Sequence, residues 1–153
     1  MTVPKILVPD IADGAAFAFD ELGHYAFTSG YGITLKPSVR ELPKYILGLL
    51  NSAVLDFYLK RISTTMRGGF FRYFTQYIEQ LPIRTIDFTD PADVARHDRM
   101  VSLVERMLDL HKRVAAEQVP HTKTMLQRQI EATDRQIDAL VYELYRLTDE
   151  EIR

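Results

Sequence analysis

Cysteine is missing from this chain altogether, and its absence excludes disulfides, thiolate zinc sites and thiol nucleophiles together. A reducing compartment suits such a chain. Long apolar runs are missing as well: nowhere do about eighteen apolar residues follow one another, the length a membrane-spanning helix needs. The opening MTVPKILVPD has no cationic stretch leading into an apolar one, so no secretory signal is expected. Together these absences predict a soluble, cytoplasmic protein. Strong net charge is lacking too. A formal balance of −2 argues against a uniformly basic nucleic-acid binder.

What is present is ordinary globular material. With 153 residues, 46% hydrophobic and 26% charged, the chain can bury a real core as one domain, or as one domain with an appendage. Its charge is unevenly spread. Residues 1–35 set Lys5 against Asp10, Asp13, Asp20 and Glu21. Residues 36–72 set Lys36, Arg40, Lys44, Lys60, Arg61, Arg67 and Arg72 against only Glu41 and Asp56. The segment from 85 onward is acidic overall. The basic excess therefore falls on and just before one stretch, YILGLLNSAVLDFYLKRISTTMRGGFFRYFTQYIEQLPI, from Tyr45 to Ile83.

Taken in order, Lys5–Pro9 is short, apolar and β-branched, and reads as a strand. Ala15–Asp20 alternates as a second strand, and Asp20-Glu21-Leu22-Gly23 is turn chemistry in which Gly23 is free to take positive φ. Tyr25–Ser29 is expected to complete a hairpin, and Tyr31–Leu35 to form a further strand. Short strands on tight turns, without βαβ spacing, predict a small mixed or antiparallel sheet. Pro43 suits a first helical turn. Ile46, Leu49, Leu50, Val54, Leu55, Tyr58 and Ile62 then follow helical spacing, with Asn51-Ser52 able to end one helix and cap a second. The aromatic density of Phe70, Tyr73, Tyr77 and Ile78 predicts a strand or extended segment running to Leu81-Pro82.

Arg84–Ala92 reads as a connector, with Thr89 or Asp90 capping a helix that starts at Pro91. Met100, Val104, Met107, His111 and Val114 mark one apolar stripe; Leu126, Ile130, Thr133, Ile137, Leu140 and Leu144 mark another. Val119-Pro120-His121 separates them, so an antiparallel helical hairpin is expected. Thr148–Glu151 reads as a cap and first turn of one more helix. The fold class is α+β: residues 1–84 as a sheet-plus-helix core, residues 85–153 as a C-terminal helical hairpin.

Catalytic signatures are absent from the sequence. Gly30 and Gly32 precede no helix, and Gly68-Gly69 lack the lysine and hydroxyl of a phosphate loop. The four histidines show no zinc-binding spacing. Pro9-Asp10 opens a nuclease-like pattern that no suitably spaced acid and lysine complete, and there is no serine nucleophile elbow. No metal site and no catalytic residue is expected. The remaining signal is the loop Ser63–Tyr73. Its arginines can pair with phosphates or fork onto guanine edges, its hydroxyls can bond phosphate or base, and Gly68-Gly69 let the backbone approach another molecule. A plain helix-to-strand turn with its arginines in water accounts for the same residues.

The order of several segments resembles the C-terminal target-recognition region of TaqI-like and type IIG adenine-specific DNA methyltransferases and fused restriction-modification enzymes. The segments are PKILVPDIA, FAFDELGHYAFTSGYGITLK, YILGLLNSAVLDFYLK, RGGFFRYFTQYIEQLPI and IDALVYELYRLTDEEI. That resemblance implies a module that reads double-stranded DNA, acting with a catalytic domain in the same or a partner chain. That catalytic domain binds S-adenosylmethionine and methylates adenine N6. The Asn-Pro-Pro-Tyr/Phe motif of such domains does not occur in this sequence, so no catalytic residue carries over and no cofactor is expected in this chain. For DNA contact, Lys36, Arg40, Lys60 and Arg61 are candidates to hold phosphates. Thr65, Arg67, Arg72 and Tyr73 are candidates nearer the bases, and Thr64, Gly68 and Gly69 are further DNA-binding candidates. The alternative expectation is a protein-interaction or dimerisation module whose helical hairpin docks without touching DNA.

Overall fold

The computed structural model describes residues 4–23, 31–66 and 68–152. Its contacts divide the chain into two compact units, Met1–Thr85 and Ile86–Arg153. Among its described residues the first holds six short strands and three helices. The strands are β1 (Lys5–Val8), β2 (Ile11–Ala12), β3 (Ala18–Asp20), β4 (Tyr31–Ile33), β5 (Thr65–Met66) and β6 (Phe70–Arg72). The helices are α1 (Pro43–Leu50), α2 (Ala53–Ile62) and α3 (Thr75–Ile78). The strands form two antiparallel three-stranded sheets, in the orders β3-β1-β4 and β2-β6-β5.

β1 is the centre of the first sheet, and its alternation buries Ile6 and Val8. Lys5 stands directly opposite Asp20 in the β1–β3 register, and their charged groups meet at 3.5 Å with Asp20 buried. The turn after β3 forms as its residues predict: Gly23 takes φ 67° and donates its N–H to the Asp20 carbonyl. The expected strand Tyr25–Ser29 lies outside the described residues. β3 is shorter than the expected Ala15–Asp20 because the backbone of Phe17 is bonded elsewhere, to the side chain of Asn51.

α1 starts at Pro43 and ends at Asn51, and every residue from Tyr45 to Leu50 is buried. A helix covered on all sides is a core helix rather than one with a single apolar face. Ser52 then caps α2, accepting from the Leu55 N–H at 3.3 Å while its own hydroxyl donates to the Leu49 carbonyl at 2.6 Å. One serine thus satisfies the end of one helix and the start of the next.

Two expectations for the segment after α2 are corrected. Ser63–Tyr73 is not an open loop, because β5 and β6 pair within it as a hairpin, Thr65 opposite Phe71 and Met66 opposite Phe70. The aromatic run to Pro82 is not one extended segment either: after β6 it turns into α3. Aromatic density there reflects packing, and the stacking of Phe74 on Tyr77 at 6.2 Å uses the three-residue spacing of a helical turn.

The second unit is a pair of long helices, α4 (Pro91–Ala116) and α5 (Pro120–Leu144), followed by the short α6 (Asp149–Ile152). Asp90 caps α4 by accepting from Ala92 at 3.0 Å, and Pro91 occupies the first turn. Glu117 accepts from the N–H groups of Gln118 and Val119 and so satisfies the three-residue break. The apolar stripes face one another. On α4 the buried residues are Asp93, His97, Met100, Leu103, Val104 and Leu110; His111, expected on the stripe, is exposed. Its place is taken by Leu110, because a straight helix drifts about 20° per heptad away from a strict seven-residue repeat. Thr148 and Glu151 form a reciprocal capping box at α6. Among the described residues no helix is long and apolar enough to cross a membrane.

Candidate nucleic-acid interface

The second sheet presents its two faces differently. Along β6, Phe71 and Tyr73 point one way and Phe70 and Arg72 the other, as a pleated strand requires. The Phe71 side is occupied from within. The Lys60 ammonium lies 5.5 Å from the Phe71 ring centre, and Tyr73 is fully buried with its ring edge-on to Phe17 at 5.7 Å. The Phe70 side is open. Ile11, directly opposite Arg72 on β2, is 44% exposed and Phe70 is 41% exposed.

Arg72 is the centre of this open face. Its guanidinium lies 5.1 Å from the ring centre of Phe74, two residues on along the chain. Among the described residues it has no carboxylate partner, and its buried Nε has no hydrogen-bond partner. On its other flank the Thr64 carbonyl accepts from the Arg72 N–H, and the Thr64 hydroxyl bonds the Tyr77 phenol. That bond pulls the Tyr77 phenol below its ordinary pKa, helped by a hydrogen bond from Gln76 and by the positive charge of Arg72. Ser63 donates its hydroxyl to the Arg72 carbonyl, which stitches the end of α2 to β6. The hairpin closes through Gly68 at φ 84° and Gly69 at φ 79°. A Cβ on Gly68 would meet the Phe70 ring at 3.3 Å, so that ring rests over the turn.

These contacts sort the expected residues. Thr64, Thr65, Gly68, Gly69 and Arg72 are brought together on the hairpin, and all but Arg72, which is half-buried, are exposed. Arg67 lies outside the described residues. Arg61 is exposed on α2, its guanidinium 4.7 Å from the Phe57 ring centre, again without a carboxylate partner among the described residues. Lys60 is already engaged, 2.9 Å from Asp56 as well as over Phe71. Lys36 and Arg40 are exposed on the connector between β4 and α1, on a different sheet's flank. Tyr73 is a core residue. Its burial, with Asp56 and Asp13 nearby, raises the phenol to about 12, and its hydroxyl has no hydrogen-bond partner among the described residues. It supports the sheet from below and cannot be a contact on the open face.

Sequence reasoning missed Ile11, Phe70 and Phe74 around Arg72, and Phe57 beside Arg61. A spacing signal existed for two of them. Arg61 follows Phe57 by four residues on a helix, and Phe74 follows Arg72 by two in extended chain, the spacings at which a cation reaches a ring on the same face. Ile11 gave no signal, since a two-residue strand has no pattern to read. Among the described residues no group of three or more histidines and carboxylates is placed to hold a metal ion. Gly68 and Gly69 lead into a strand rather than a helix N-terminus, so this loop does not fit the phosphate or adenosyl group that a glycine-rich helix entry holds.

Over 151 residues, 95% of the chain, it is 29% identical to the type II restriction enzyme and methyltransferase RM.Eco57I of Escherichia coli. Over 81 residues, 52% of the chain, it is 36% identical to the type II methyltransferase M.XhoI of Xanthomonas vasicola. The matches cover 15% and 14% of those two proteins, so the chain corresponds to a small part of each. The TaqI-like C-terminal specificity domain matches residues 1–83, nearly all of the first unit. With more than half of its length so matched, the chain belongs to the family of TaqI-like C-terminal specificity domains.

Proposed function

We propose that this chain is the DNA target-recognition module of an adenine-N6 methyltransferase or fused restriction-modification enzyme, and that the open face of the β2-β6-β5 sheet is its contact surface. The observation that carries the reading is Arg72: a guanidinium over the Phe74 ring, without a carboxylate partner among the described residues, flanked by Thr64 and the Gly68-Gly69 turn. The ring contact holds the guanidinium beside Phe74, and a guanidinium bonds acceptor-rich ligands through its terminal N–H groups. Arg61, held over Phe57 on the adjoining helix, supplies a second cation for phosphate. Lys60 acts within the module, because Asp56 already balances its charge.

The catalytic step and its S-adenosylmethionine belong to another part of the protein or to a partner chain. The family and the names of the two relatives support this, both being methyltransferases by name. The interaction-module alternative draws less support, since the stripes of α4 and α5 are spent largely on each other. In the second unit Val119, Met125 and Ile152 are the large apolar residues left exposed among the described ones.

Fluorescence anisotropy with labelled duplex DNA over a salt series tests the reading. Binding should weaken steeply as salt rises; Arg61→Ala should lower both the affinity and the salt slope, the slope by up to about one, and Arg72→Ala should lower the affinity. Lys60→Ala should alter the slope less. Absence of binding at low salt, or indifference to both arginine substitutions, would refute it.

A further inference from the structure

Two exposed apolar side chains border Arg72 on the open face, and electrostatic attraction to phosphate gives them no role. Ile11 is its cross-strand neighbour on β2 and Phe70 precedes it by two residues on β6, so all three share one side of the sheet. Both side chains remain about two-fifths or more exposed on a sheet whose other side is packed. Phe70 is held in place, its ring lying against the Gly68 backbone of a turn that two left-handed glycines define. An aromatic ring exposed beside a guanidinium that lies over Phe74, with no carboxylate partner among the described residues, is arranged for a surface that offers apolar and acceptor groups side by side.

Resting on the function proposed above, we infer that Phe70 and Ile11 read the C5-methyl group of a thymine through the major groove, beside a guanine engaged by Arg72. Three physical facts support this. The major groove is wide enough to admit a short β-ribbon. It alone displays the thymine methyl, and it displays guanine O6 and N7 as a paired acceptor that a guanidinium fork matches. The dimensions agree: residues two apart on a strand are about 6.6 Å apart, roughly two base steps of about 3.4 Å along one DNA strand. A minor-groove contact would leave the apolar pair facing a surface that hardly distinguishes the bases. The positive charge of Arg61 and Arg72, neither with a carboxylate partner among the described residues, favours DNA over an acid-poor protein surface as the occupant.

The test changes the DNA before it changes the protein. The full 153-residue chain is used to select bound sequences from a randomised duplex pool, and the selected duplex is then resynthesised with deoxyuridine replacing each thymidine in turn. Removing the recognised methyl should weaken binding about four-fold at one position, the loss expected for one buried methyl-sized group, and that position should lie within two steps of a conserved guanine in the selected set. Phe70→Ala should weaken binding to the thymine duplex similarly and should no longer distinguish thymine from uracil. Phe70→Leu, which keeps an apolar side chain, should retain part of the discrimination and guards against a folding artefact. Salt-dependent binding with equal affinity for every uracil-substituted duplex would overturn this inference while leaving the DNA-recognition reading intact. Failure to bind any duplex would overturn both.

Discussion

The side-chain amide of Asn51 pairs with the backbone of Phe17 on both sides, donating to its carbonyl and accepting from its N–H, each at 2.9 Å. The amide does for Phe17 what a neighbouring strand would do, and it binds the junction of α1 and α2 to the chain just before β3. Phe17 in turn carries the edge of Tyr73, and Tyr73 directly follows Arg72. The Leu-Leu-Asn-Ser segment therefore supports the candidate interface from behind without touching it.

Replacing Asn51 by Ala should leave both Phe17 backbone groups without their partner and cost the first unit about 2 kcal/mol. Asn51→Asp keeps the acceptor but sets an anionic oxygen against the Phe17 carbonyl, and should cost at least as much as Ala at neutral pH. Urea midpoints of the three proteins check the order, and a loss below about 0.5 kcal/mol for Ala would show that water replaces the amide freely.

Tyr73 should make the fold sensitive to alkali. Burial, reinforced by Asp56 and Asp13, raises its phenol to about 12, whereas the unfolded chain loses that proton near 10. Folding therefore retains the proton: the stabilisation is complete below pH 10 and is lost as pH rises from about 10 to about 12, roughly 2 to 3 kcal/mol in all. Tyr73→Phe should flatten that alkaline decline. It should cost little at neutral pH, because the hydroxyl it removes has no hydrogen-bond partner among the described residues. Chemical denaturation at neutral pH and across the alkaline range measures both.

The hairpin turn should tolerate side chains unequally. At Gly69 a Cβ meets nothing within 4 Å, so Gly69→Ala carries only the left-handed backbone penalty of about 1–2 kcal/mol. Gly68→Ala carries the same penalty and also displaces the Phe70 ring. Stability should fall similarly in both, while Gly68→Ala should lower DNA affinity more. Equal affinities would separate Phe70 from binding.

In the helical pair, Leu110→Ala should cost about 2–4 kcal/mol, whereas His111→Ala should stay within about 0.5. Leu110 is 2% exposed and His111 lies on the exposed side of α4. Thermal or urea unfolding of the two variants decides the register directly.

The sequence by itself determined most features that depend on neighbours along the chain. Pro43, Ser52, Asp90 with Pro91, and the Thr148–Glu151 box set helix starts, and Gly23 set a turn, because capping and φ preference act within a few residues. The basic excess around the Ser63–Tyr73 segment was equally visible, since charge needs no fold to be counted. Only the tertiary structure decided which side chains face outward. Tyr73 is withdrawn into the core and Lys60 is drawn onto Asp56 and Phe71, while Ile11, Phe70 and Arg72 share an open face. That outcome turns on β2 pairing with β6 across a long separation in the chain. A strand's side chains alternate, so shifting that register by one residue would exchange the two faces and bury Arg72 in place of Tyr73.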